Sequence, residues 1–272
     1  MEIIKVIVLG IVEGITEWLP ISSTGHMILV DEFLKLDVSD EFLEMFLVVI
    51  QLGAIMAVVV LFWDKLFPFS FKNGVSVDSG IMSMWLKIIV ACIPAAVVGI
   101  LWDDVFTKLF YNYQTVAIML ILFGILFIIV ENGNKNKQAT ITELSRITYK
   151  EALIIGLFQL IAAVLPGTSR SGATIVGGLL VGVSRTVAAE FTFFLAIPVM
   201  FGASLLKIVK FGFDFSSYEL LILAIGMVVA FVVSILSIKF LMGYIKKHDF
   251  KAFGWYRIVL GIVVLGYFFI AG

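Results

Sequence analysis

The chain has 272 residues, 61% of them hydrophobic and 14% charged, with a mean hydropathy of +1.13 and a formal net charge of −1. A water-soluble domain is nearer half apolar and a quarter charged, so this is the composition of an integral membrane protein. The 25 Phe, the single cysteine (Cys92) and the lack of a basic excess exclude a disordered chain, a disulfide scaffold and a nucleic-acid binder. The apolar runs are continuous and lack the two-residue alternation of a membrane β-barrel, which leaves spanning helices.

In chain order, the first apolar stretch covers about 3–30. Its only early base is Lys5, and it runs into Glu13 and Glu17 instead of a small-residue cleavage site, so it is expected to stay in the mature protein. It is broken at Pro20-Ile21-Ser22-Ser23-Thr24-Gly25-His26. Runs long enough to cross about 30 Å of hydrocarbon follow at about 42–63, 83–101 and 114–131. Residues 132–150, rich in Asn, Lys and Gln, read as a cytoplasmic linker. A second broken segment, about 151–181, is interrupted at Pro166-Gly167-Thr168-Ser169-Arg170-Ser171-Gly172, and spans at about 186–208, 218–241 and 253–271 complete the chain.

Proline removes a donor and glycine relaxes the backbone, so each break frees amide groups that lipid cannot satisfy. Both broken segments are therefore expected to be re-entrant helix–loop–helix hairpins; the alternative is a kinked single span. A shift of 146 places Gly10 on Gly156, Glu13 on Gln159, Leu19 on Leu165, Pro20 on Pro166, Ser22 on Thr168, Ser23 on Ser169 and Glu44 on Glu190. The fold class expected is an all-α polytopic membrane protein. It would form a single domain of six spans and two hairpins, with repeat 1 at about 1–131 and repeat 2 at about 151–272. Three spans per half invert the second half, which brings the hairpins together near the midplane.

Eleven Lys/Arg residues then lie on one side (Lys65, Lys72, Lys135, Lys137, Arg146, Lys150, Arg185, Lys239, Lys246, Lys247, Lys251) and five on the other (Lys5, Lys35, Lys108, Lys207, Lys210). The richer side is cytoplasmic, so the first hairpin opens outward, beneath a rim acidic with Asp31, Glu32, Asp37, Asp40, Glu41, Asp103 and Asp104.

Ionisable residues in the apolar belt are few: Glu13, Glu17, His26, Lys87, Glu151, Arg170, Glu190 and Arg257. Intramembrane charge points to function. Glu13 and Glu17, four apart, share a helix face directly before the break, and two adjacent carboxylates are relieved by a shared proton or a divalent cation. Ser22, Ser23 and Thr24 beside His26 supply hydroxyls and an imidazole, the combination for nucleophilic attack with acid or base help. Thr168, Ser169, Arg170, Ser171 and Thr174 form a glycine-flexible turn opening a helix, which suits a phosphate. Arg170 is the fork in that cradle or a structural partner for Glu13 or Glu17. Gln51 and Glu190 could line the cavity or bond between helices. Lys87 and Arg257 are expected to snorkel from span ends, the five tryptophans to face lipid or the interface, and Cys92 to pack.

These residues carry a resemblance. The run Glu13 to His26, with its E-x-x-x-E, and the run Pro166 to Thr174, P-G-x-S-R-S-x-x-T, resemble the undecaprenyl-diphosphate phosphatase family of the bacitracin-resistance type; Gln51-Leu52-Gly53-Ala54 and the span pattern extend the likeness over nearly the whole chain. The resemblance implies a multi-pass enzyme of the bacterial plasma membrane that converts undecaprenyl diphosphate to the monophosphate carrier for peptidoglycan. It also implies a divalent cation, Mg²⁺ or Ca²⁺, at Glu13 and Glu17; Ser23, or on another view His26, as nucleophile; His26 as acid/base; and Arg170 as diphosphate clamp. Ser22, Thr24, Thr168, Ser169, Ser171 and Gln51 would bind phosphate. Expected partners are the polyprenyl diphosphate and membrane lipid, with a homodimer open and nucleic acid excluded. A polyprenyl-phosphate flippase built on the inverted repeat is the alternative; a hydroxyl set beside an imidazole and paired carboxylates favours the hydrolase.

Overall fold

The computed structural model describes residues 2–70 and 76–271. Lys72 lies outside them, as do the side chains of Asp31, Glu32, Asp103 and Asp104 of the acidic rim. The first broken segment folds as α1 (Glu2–Thr16) and α2 (Ser23–Phe33), joined by a turn that contains the proline. Ser39 caps α3 (Asp40–Leu61) by accepting from the Phe42 amide, and Asp40 and Glu41 favour its positive end. After the single turn α4 (Trp63–Leu66), a two-residue antiparallel pair, β1 (Phe69–Ser70) with β2 (Ser76–Val77), leads to Asp78, whose carboxylate caps α5 (Ser79–Phe110). Asn112 caps α6 (Tyr113–Asn134).

Past a 3-10 turn at Leu144–Arg146, α7 (Tyr149–Val164) starts on a capping box in which Thr148 and Glu151 satisfy each other's backbone amides. Glu151, expected in the apolar belt, is thus a helix-start residue in contact with water. The second broken segment closes with α8 (Arg170–Leu180), followed by α9 (Arg185–Phe211), α10 (Ser217–Ile245) and α11 (Lys251–Ala271).

Six of these helices, α3, α5, α6, α9, α10 and α11, are long and apolar enough to cross a membrane, and they coincide with the six runs expected from hydropathy. The chain is an all-α, multi-pass membrane protein. α5 overruns its apolar window, Ser79–Trp102: its 32 residues make about 48 Å of helix, more than the roughly 30 Å of hydrocarbon requires. Large apolar side chains such as Ile89, Ile93, Ile100, Val228, Leu236 and Ile262 stay exposed along the outer faces, where lipid is their solvent.

Inside, α1 packs on α10, α7 on α5, α6 on α11, and α3 on both α9 and α10. Lipid is as apolar as leucine, so these helices are held by close packing, which needs small residues at the crossings. A Cβ on Gly53 would sit 2.1 Å from the Met227 carbonyl oxygen, and one on Gly156 2.3 Å from that of Ala91. Ion pairs tie helix ends: Lys65 to Glu190, Lys207 to Glu44, and Arg185 to Glu131, which also accepts from the Phe250 amide. Glu190 therefore answers Lys65, not Gln51. Lys87, expected to snorkel, is buried and donates to the Ser145 carbonyl 3.2 Å away, tying α5 to the linker. Trp18, expected at a lipid face, is fully buried edge-on against Phe193.

Candidate active site

The two broken segments meet through their turns. In the first, the Glu17 amide still donates to the Glu13 carbonyl at 3.0 Å, so the helical hydrogen bonding runs one residue past α1 and keeps both carboxylates on one face. Both are buried, at 2% and 6% exposure. The chain then passes Pro20 and reverses at Ser22, whose φ of +75° is in the left-handed region. In the second turn Gly167 has φ +88° and Ser169 φ +68°. Gly167 is required twice, by that φ and because a Cβ there would lie 2.4 Å from the Val116 carbonyl oxygen.

Ser22 and Ser169 are the only non-glycine residues with positive φ among the described residues, and each caps the helix after it by accepting from a glycine amide, Gly25 at 3.3 Å and Gly172 at 3.1 Å. Left-handed serines cost about 1–3 kcal/mol each and persist where the surroundings over-determine them. The two serines are equivalent in backbone conformation. In conformation Ser22 therefore matches Ser169, 147 residues on, and Ser23 matches Arg170, because two residues separate Pro166 from Ser169 and only one separates Pro20 from Ser22.

Ser23 and Arg170 are the first residues of α2 and α8. Ser23 Oγ donates to Glu17 Oε2 at 3.3 Å, and Arg170 Nη2 donates to Glu17 Oε1 at 2.9 Å. Ser171 Oγ donates to the Glu17 carbonyl at 3.0 Å, and Arg170 Nη1 to that of Thr192, also at 3.0 Å. The Arg170 guanidinium lies 6.0 Å from the Trp18 ring centre. Thr174 and Thr192 share a hydrogen bond, as do Ser169 and Ser171. Thr168 Oγ1 is buried without a partner. Thr24 is half-buried in the first turn of α2, and Gln51 half-buried on α3 with no hydrogen bond to the turns among the described contacts.

His26 is held elsewhere. Nδ1 lies 2.7 Å from the Ser22 carbonyl, which can only accept, so Nδ1 carries the proton; Nε2 then accepts from the Tyr256 hydroxyl at 2.7 Å. The expected acid or base for Ser23 thus has both nitrogens engaged, and the group touching Ser23 is Glu17. Of the two roles anticipated for Arg170, the ion pair with Glu17 is formed, and its Nε is buried without a hydrogen-bond partner.

Two carboxylates are what the chain offers a cation: among the described residues no three His, Cys, Asp or Glu side chains converge on one point. Glu13 Oε1 is buried and has no hydrogen-bond partner, and an orphaned carboxylate oxygen beside a second carboxylate fits a hard divalent cation. The residues missed from the sequence are Tyr256 and Arg257. Arg257 does not snorkel. It is fully buried and donates to the carbonyls of Pro20 (3.3 Å), Gly167 (3.0 Å), Thr168 (2.7 Å) and Met119 (3.5 Å). Its place seven residues into a 21-residue helix, about 9 Å from the end, was the available signal.

The family model of the bacitracin resistance protein BacA matches residues 6–263. The chain belongs to this family. Every side chain of the site, from Glu13 to Arg257, lies within the stretch matched to BacA. The undecaprenyl-diphosphatase of Desulfitobacterium hafniense is 74% identical over 268 residues, covering 98% of this chain and 96% of the relative. The undecaprenyl-diphosphatase 1 of Clostridium acetobutylicum is 68% identical, covering 99% and 98%, and an undecaprenyl-diphosphatase of Enterococcus faecalis is 64% identical, covering 97% and 96%.

Proposed function

We propose that this chain is an enzyme that hydrolyses undecaprenyl diphosphate to undecaprenyl phosphate and inorganic phosphate, recycling the lipid carrier of peptidoglycan synthesis and conferring bacitracin resistance. The observation that carries it is the meeting, on one carboxylate, of a hydroxyl from the first turn and a guanidinium from the second: Ser23 and Arg170 on Glu17. Phosphoryl transfer asks the protein mainly for positioning and charge neutralisation, and these three groups supply an attacking oxygen, a proton acceptor and a bidentate clamp.

Arg170 moves from Glu17 to the diphosphate, and Glu17 is freed to take the Ser23 proton. Ser23 Oγ bonds to the terminal phosphorus as the bond to the bridging oxygen breaks, and undecaprenyl phosphate leaves. Water then cleaves the phosphoserine, releasing phosphate and returning the proton to Ser23. The amides opening α2 and α8, with Ser22, Thr24, Thr168, Ser169 and Ser171, bind phosphate oxygens. His26 holds the Ser22 carbonyl and so the turn behind Ser23. Glu13 and Glu17 would hold a divalent cation, Mg²⁺ or Ca²⁺, which when bound supplies further charge neutralisation.

The broken segments are re-entrant hairpins in an inverted repeat. In support, α1 packs on α10 as α7 packs on α5, and the pair of Glu44 with Lys207 is mirrored by that of Glu190 with Lys65. The Ser22 and Ser169 turns share one conformation. With the lysine-rich ends in the cytoplasm, the first hairpin and the active site open to the extracytoplasmic side.

Phosphate release from a polyprenyl diphosphate by the purified protein in detergent, with and without EDTA, tests the reading. Release that stops with EDTA and in folded Ser23→Ala and Arg170→Ala proteins is expected. A folded wild type that releases none at any Mg²⁺ or Ca²⁺ concentration overturns it.

A further inference from the structure

Arg257 takes no part in the chemistry just described, yet it is among the largest fully buried side chains of the protein. Its hydrogen bonds run to backbone carbonyls alone, with no carboxylate among its described partners. A buried guanidinium without a counter-charge is expensive, and a methionine of similar volume would pack the same space at lower cost. What the charge achieves is specific. Pro20 stands two residues before the left-handed Ser22, and Thr168 directly before the left-handed Ser169. One planar fork thus grips the chain just before both reversals, and it also meets the helix α6 through the Met119 carbonyl. Gly172, in the first turn of α8, leaves the room for it: a Cβ there would lie 3.0 Å from Arg257 Nη1.

We propose that Arg257 is a positioning residue that fixes the two turns to each other, and thereby sets how Arg170 on one turn faces Ser23 and Glu17 on the other. The proposal rests on the phosphatase reading. Lysine keeps the charge but presents a single nitrogen, which cannot hold Pro20, Gly167 and Thr168 in one plane. Misplacement of reacting groups by a fraction of an ångström then appears as lost turnover, carried through Arg170.

The test is a double-mutant cycle on the full chain in detergent, reading phosphate release from a polyprenyl diphosphate, with each protein shown folded by thermal unfolding. Arg257→Lys is expected to lower kcat about tenfold in the wild-type background and less than about twofold in an Arg170→Lys background, since the residue it positions is already impaired. Gly172→Ala, which crowds the guanidinium without removing it, is expected to repeat the pattern and carries the test if Arg257→Lys does not fold. Equal fold-losses in both backgrounds would make Arg257 a general scaffold residue, and unchanged kcat in both variants would give it no role; either overturns the proposal. A wild type that releases no phosphate overturns the phosphatase reading instead, so the two failures are told apart.

Discussion

Replacing Glu17 by glutamine removes one charge and almost no volume from the centre of the site. In the native arrangement its two oxygens accept from Arg170 at 2.9 Å and from Ser23 at 3.3 Å, and the Arg170 and Glu17 side chains are only 13% and 7% exposed. A glutamine still offers Arg170 an oxygen, so stability falls by about 1–3 kcal/mol, the difference made by a weakened charge-assisted bond. Glu17→Ala leaves the guanidinium stranded and costs about 3–5 kcal/mol. The rate obeys a different order. Neither glutamine nor alanine takes a proton from Ser23, and loss of a general base costs about 10²–10⁴ in rate, or about 3–5 kcal/mol of barrier. Stability is therefore expected to fall in the order wild type, Gln, Ala, while the two variants are equally inactive. Thermal unfolding and phosphate release in the same detergent measure the two quantities. Turnover by Glu17→Gln within about threefold of wild type would refute Glu17 as the proton acceptor.

Arg170→Ala is expected to lose on the order of 10³ in rate and Arg170→Lys to recover only part, because the fork is lost; near-normal turnover of the alanine variant removes Arg170 from the reaction. His26→Gln should cost less than about tenfold, with both limbs of the pH–rate profile kept, since the ring tethers Ser22 and does not touch Ser23. A loss above about 100-fold with a missing limb would return His26 to acid/base work. Gly167→Ala is expected to destabilise by about 2–4 kcal/mol, read as a fallen melting temperature, for it forces a Cβ into the Val116 carbonyl at φ +88°.

Much of this was legible in the sequence, and the reasons differ from element to element. The six spans announced themselves because hydrocarbon imposes a length and a hydropathy that few other environments demand. The breaks at Pro20 and Pro166 were equally plain, since proline and glycine act locally on the backbone. What escaped was the likeness of Ser22 to Ser169: matching the two breaks on residue identity sets Ser22 against Thr168, and only the shared positive φ shows that the two serines reverse the chain in the same way. Arg257 escaped for another reason. A lone arginine in an apolar helix looks the same whether it reaches for lipid headgroups or for buried carbonyls 90 and 237 residues away, and tertiary packing alone decides between them. The partners of His26 were not legible either, because its neighbour in sequence, Ser23, is not its neighbour in hydrogen bonding.

The differences between the two halves carry the last step. Were the hairpins identical, each would present the same charges and the turns would repel. Here the first broken segment carries Glu13 and Glu17 and the second Gln159 and Arg170, so one is acidic and the other basic. Glu17 and Arg170 pair at 2.9 Å across the two turns. In the proposed mechanism an incoming diphosphate offers Arg170 more negative charge than one carboxylate does, and the exchange that binds the substrate is the same exchange that releases Glu17 as a base. Binding and activation are then a single event. On this account Arg257, which donates to the backbone of both turns, matters because the exchange works only if neither turn drifts while the Arg170 guanidinium changes partners.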